Sequence, residues 1–173
     1  MTERCRKIYL ASSWRNPNQP RAVEMLRAAG HEVYDFRNPK PDKPGFSWGD
    51  VAEDWKGWWP GEFIRKGLKH PIAEGAFKTD KDALDWCDTC VLLLPCGRSA
   101  HLEAGYAIGR DKPTLIVLDN CNFEPELMYL FADYIVPYIE DMVFGLNMMR
   151  VDANMKNVRQ ILTEDMVAKD GPR

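Results

Sequence analysis

The chain has 173 residues, the length of one ordinary domain, and its 45% hydrophobic, 11% aromatic and 28% charged residues exclude a disordered or fibrous polymer. Its 23 Lys and Arg against 26 Asp and Glu leave a formal charge of -3, without the basic excess that would neutralise the phosphates of a nucleic acid polymer. No stretch approaches the roughly 18 apolar residues of a membrane span, and Met1 to Lys7 has no apolar core of a secretory signal, so the expected address is cytoplasmic.

Lys7 to Ala11 reads as a first strand, followed by the polar turn Ser12-Ser13-Trp14-Arg15-Asn16-Pro17. Ala22, Val23, Leu26 and Ala29 recur at helical spacing, with Gly30 placed as a C-terminal stop. His31 to Phe36 alternates as a second strand. Residues 37–60 form an insertion with four prolines and Trp48, Trp55, Trp58 and Trp59, either a binding lid or a loop packed down by its own indoles. Gly61 to Asp88 is helical, interrupted near Pro71, and leads into the uniformly apolar strand Thr89 to Pro95. A helix from Ser99 to Arg110 and a second apolar strand, Pro113 to Leu118, come next. Glu124 to Ala132 is expected to be helical, Tyr134 to Val136 a short last strand, and about 138–168 a helical tail.

Alternating strands and helices predict one doubly wound α/β domain over 1–173. This is a flavodoxin-like or Rossmann-like three-layer sandwich with a central parallel sheet of about five strands. Five cysteines, at 5, 87, 90, 96 and 121, are odd in number and irregular in spacing, which favours free thiols. Cys87-Asp88-Thr89-Cys90 matches CxxC, but no second pair completes a zinc set and the pair does not open a helix as a redox motif does.

Ligands of an open parallel sheet bind beyond the carboxyl ends of its strands, which directs attention to Ser12, Ser13, Arg15, Asn16, Gly97, Arg98, Ser99 and His101. Glu103 stands out among the small and apolar residues Ala100, Leu102, Ala104, Gly105, Ala107 and Ile108. With Ser99 as N-cap, Glu103 falls in the first turn, where the helix dipole would keep it ionised as a nucleophile requires. Asp82 and Asp85 share a face of the preceding helix, and Asp80 is turned away from Asp85. His101 points about 200° around the helix from Glu103 and is left out of the catalytic set.

Lys7 to Trp14, Asp82 to Pro95, and Ser99 to Ala107 with Lys112-Pro113 together resemble the nucleoside 2-deoxyribosyltransferase family, over roughly residues 7–136. That family includes N-glycosidases of 2'-deoxynucleoside 5'-monophosphates. The resemblance implies that Glu103 attacks C1' in a retaining double displacement, that Tyr9 orients it, and that Asp82 handles the proton on the departing base, with Asp85 as fallback. It implies substrate contacts from Ser13, Trp14, Arg15, Gly97 and Ser99, and a homo-oligomer in which Glu126-Leu127-Met128 brings Glu126 and Met128 to a neighbour's site. It implies no metal and no cofactor. Gly97 stands where transferases often carry an Asp for the 5'-hydroxyl, and Ser13 and Arg15 match the phosphate ligands of the hydrolases. Trp14 matches the transferases, and Glu126 would repel a phosphate dianion. The signature is mixed and leans toward nucleosides. A non-catalytic nucleotide-binding module on the same fold is the alternative of a different class.

Overall fold

The computed structural model describes residues 5–40, 44–119 and 124–149. In chain order these form β1 (Lys7–Ala11), α1 (Gln19–Ala28), β2 (Glu32–Tyr34), α2 (Pro60–Glu62), α3 (Pro71–Trp86), β3 (Thr89–Leu93), α4 (Arg98–Ile108), β4 (Thr114–Val117), β5 (Tyr134–Val136) and α5 (Met142–Met148). The sheet runs β2-β1-β3-β4-β5, and β1/β3, β3/β4 and β4/β5 all pair in parallel. The expected three-layer α/β sandwich is present.

The chain divides into two compact units, the first comprising 1–33 with 87–173 and the second 34–86. In the first, the strands are apolar on both faces because both faces are covered. Ile8, Leu10, Val91, Leu93, Leu115 and Val117 meet Ala22, Val23 and Leu26 of α1 and Met142 and Leu146 of α5 in one core. Strand alternation turns Tyr9, Cys90, Leu92 and Ile116 to the opposite face, where α4 packs through Ala100, Ala104 and Ala107. Small residues on α4 let the helix lie close to the sheet. Gly30 adopts φ 86° just after α1, as a C-terminal stop should, and the next amide, of His31, bonds back to Leu26 at 3.1 Å.

Several boundaries differ from the expectation. The second strand ends at Tyr34, because the Asp35 carboxylate accepts from the Arg37 amide at 3.0 Å and draws the chain into a turn. The buried strand ends at Leu93 rather than Pro95. The expected helix over Glu124 to Ala132 is a 3-10 segment, Leu127–Phe131, all of whose residues are apolar or aromatic. The helical tail begins with a 3-10 turn at Ile139–Asp141 and continues as α5, and its remainder from 150 lies outside the described residues.

In the second unit, two 3-10 turns at Trp48–Asp50 and Trp55–Gly57 precede α2, which runs into a π-helical turn at Phe63–Gly67. Trp48 is the hub of an aromatic cluster, edge-on to Phe46 (4.9 Å), Phe63 (5.4 Å) and Trp58 (6.2 Å). Of the two readings of the insertion, the packed one describes Trp48 and Trp58, whereas Trp59 is 58% exposed beneath the Arg65 guanidinium.

Candidate active site

The order β2-β1-β3-β4-β5 reverses direction between β1 and β3, and a crevice outside the carboxyl ends of such strands is the natural ligand site of this architecture. The loop after β1 carries Ser13, Trp14 and Arg15, and the turn after β3 carries Cys96, Gly97, Arg98 and Ser99. Trp14 and Arg15 are exposed, Ser13 is half-buried, and the Ser13 hydroxyl accepts from the Arg15 amide at 3.1 Å.

Helix α4 starts two residues earlier than a Ser99 cap would have it, at Arg98, with the extended Gly97 as its N-cap and no side chain capping it. Glu103 is therefore the sixth residue and stands in the second turn, not the first. The helix dipole acts mainly within one turn, so the proposed reason for its ionisation does not hold. Its position is better defined by what its charge does. Burial chiefly, and then the Glu103 carboxylate, raise the thiol of Cys96 to about 12, and the same charge helps to raise buried Cys90. Glu103, half-buried itself, thus lies over β3 within electrostatic reach of both sulfurs.

Tyr9 lies at the centre of β1, wholly buried and in register with Cys90 on the face that α4 covers. Cys87 and Cys90 of the CxxC sequence are both buried with thiols raised by desolvation, and Lys112 Nζ donates to the Cys87 carbonyl at 2.7 Å. Among the described residues no group of three or more His, Cys, Asp or Glu could hold a metal ion, and no helix is long and apolar enough to cross a membrane.

His101 Nδ1 donates to the Gly97 carbonyl at 3.0 Å, which leaves Nε2 to accept from the Tyr129 hydroxyl at 3.2 Å, the two rings lying nearly parallel. This contact fastens the 3-10 segment to the start of α4. Glu126 and Met128, expected at a neighbour's site, are both exposed on that segment, along with Leu127.

In the second unit, Asp82 is exposed and ion-paired with Lys78 at 2.5 Å, and Asp85 is paired with Lys81 at 2.6 Å. Asp80 differs from both. Its Oδ1 accepts from the Tyr34 hydroxyl at 2.6 Å, and burial raises its pKa against the lowering effect of that bond. It borders a cavity of about 350 Å³ walled by Tyr34, Phe36, Pro44, Phe46 and Ile72. A helix wheel orders residues around an axis without saying which side is enclosed, so the sequence does not single out Asp80. Asn16, one of the polar residues after β1, is completely buried.

No protein-family model matches the sequence, and no curated protein is similar to it. Among solved structures, a 2-deoxyribosyltransferase from the psychrotolerant bacterium Bacillus psychrosaccharolyticus is similar at a TM-score of 0.57, with 17% identity over 78% of this chain and 88% of that one. The likeness is one of fold.

Proposed function

We propose that the protein is a nucleoside 2-deoxyribosyltransferase. The observation that carries this reading is Glu103, a half-buried carboxylate on a helix of small residues over β1 and β3, close to the turn at the sheet's switch point. Similarity of fold to a 2-deoxyribosyltransferase supports the same chemistry. A Glu103 oxygen attacks C1' of the 2'-deoxyribose, the C1'–N bond breaks, and its electron pair leaves with the base, which takes a proton from a carboxylic acid. A ring nitrogen of a second base then attacks C1' and gives up its proton to the carboxylate left by that acid, Glu103 is released, and the configuration is retained.

Tyr9 orients the nucleophile in this scheme. The resemblance gives the proton to Asp82, with Asp85 as fallback. Ser13, Trp14, Arg15, Gly97 and Ser99 receive the sugar and its 5' end, and Glu126 and Met128 act from a second copy in a homo-oligomer. The reaction as written uses no cofactor. A second reading, hydrolysis of 2'-deoxynucleoside 5'-monophosphates by the same nucleophile, is supported by Ser13 and Arg15, which stand on the loop after β1 where the resemblance puts phosphate ligands.

The deciding experiment incubates the protein with deoxyadenosine plus free cytosine, and separately with each 2'-deoxynucleoside 5'-monophosphate, following products by chromatography. New deoxycytidine that disappears in Glu103→Ala, with the variant still folded, is the expected result. Deoxyribose 5-phosphate without base exchange moves the assignment to the hydrolase. Silence in both arms, or a fully active Glu103→Ala, overturns the enzyme reading.

A further inference from the structure

The loop that follows β1 is held by polar side chains enclosed beneath it. Asn16 is completely buried, an uncommon position for asparagine. Its Nδ2 donates to Ser12 Oγ at 3.1 Å, and Ser12 Oγ donates onward to the carbonyl of Leu93, the last residue of β3, at 2.9 Å. Its Oδ1 accepts from the Asn18 amide at 2.9 Å, while its own amide donates to the Ser13 carbonyl at 3.0 Å. Asn18 continues the chain, with Nδ2 donating to Asp119 Oδ2 at 2.7 Å, and Asp119 Oδ1 accepts from the Ile139 amide at 3.1 Å. Asp119 holds φ 39°, in the left-handed region that most residues other than glycine seldom adopt.

The ends of β1, β3 and β4 are thus joined along one edge of the sheet by a continuous run of side-chain hydrogen bonds. The turn Ser13-Trp14-Arg15 lies between Ser12 and Asn16 of that run. We propose that Asn16, backed by Asn18 and Asp119, is a positioning residue that presets this turn, so that Ser13, Trp14 and Arg15 meet the sugar and its 5' end without being ordered at the moment of binding. Removing that ordering cost favours affinity more than turnover. The inference rests on the function proposed above for its consequence in binding, but the presetting of the turn is measurable without it.

The test measures amide hydrogen exchange in the wild type, in Asn16→Ala, and in Asn18→Ala, which spares the buried position should Asn16→Ala fold poorly. Michaelis parameters are taken on deoxyadenosine with cytosine and on the deoxynucleoside monophosphates. Loss of one or two such bonds should accelerate exchange over 13–18 by about tenfold while Thr89–Leu93 stays protected. KM should rise by about tenfold with kcat within about twofold. Unchanged loop exchange overturns the proposal, and so does equal acceleration in the loop and in β3, which would mean general loosening. A change confined to kcat overturns it too. If the wild type turns over none of the substrates, the functional reading fails, and loop exchange alone decides whether Asn16 presets the turn.

Discussion

The Tyr34 hydroxyl donates to Asp80 at 2.6 Å, and this bond separates Asp80 from Asp82 and Asp85 further along the same helix, which reach into solvent and pair with lysines. Three aspartates in six residues therefore have different surroundings.

Asp80 leads to a prediction on stability. Its pKa in the folded chain lies above the ordinary 3.8, so the native state holds the proton more tightly than the unfolded one. Stability is then greatest below the unfolded value and declines as pH rises from about 3.8 through the folded pKa, because charging the buried carboxylate is opposed. Asp80→Asn should flatten this decline, seen as a smaller fall in Tm between pH 4 and 7. Identical profiles for wild type and Asp80→Asn would refute it.

Placement of Glu103 can be read from cysteine chemistry. With its thiol raised to about 12, Cys96 is about one part in 10⁴ thiolate at pH 8, so iodoacetamide should label exposed Cys5 far ahead of it in the native protein. Glu103→Gln removes the carboxylate's share of that rise and should speed Cys96 labelling at fixed pH, measured by peptide mass spectrometry. An unaltered rate would place the carboxylate elsewhere.

Arg6 predicts a large loss of stability. Buried in the first unit, it donates from Nη2 to the carbonyls of Leu146 and Met149, both at 2.8 Å, and from Nη1 to Thr89 Oγ1 at 3.2 Å, closing the end of α5. Arg6→Met keeps the stem but leaves the buried carbonyls without this donor, and should cost about 3 kcal/mol or more in urea denaturation. A loss below about 1 kcal/mol would mean that water replaces the guanidinium.

In the second unit, Gly67 lies beneath the aromatic cluster, and a Cβ there would meet Trp58 at 2.8 Å and Phe63 at 3.1 Å. Gly67→Ala should therefore destabilise this unit by about 1–3 kcal/mol, with a shift in tryptophan emission as the indoles part. Unchanged emission and Tm would show that the rings move aside freely.

The sequence alone determined the layered fold, because the period of apolar residues reports directly on which backbone faces are covered: Val91-Leu92-Leu93 on both sides, Ala22, Val23 and Leu26 on one. It also marked Glu103, since a lone carboxylate among alanines and glycines is visible without coordinates, and Gly30, whose positive φ follows from its place after a helical repeat. Only the tertiary structure decided which polar side chains are enclosed. Asp80 meets a tyrosine 46 residues away, Asn18 an aspartate 101 away, and Arg6 a carbonyl 140 away. Local patterning carries the preference of a backbone for helix or strand, but burial of a charge or an amide depends on partners that arrive from elsewhere in the chain, and a two-residue shift in the helix cap, from Ser99 to Gly97, is enough to take Glu103 out of reach of the dipole.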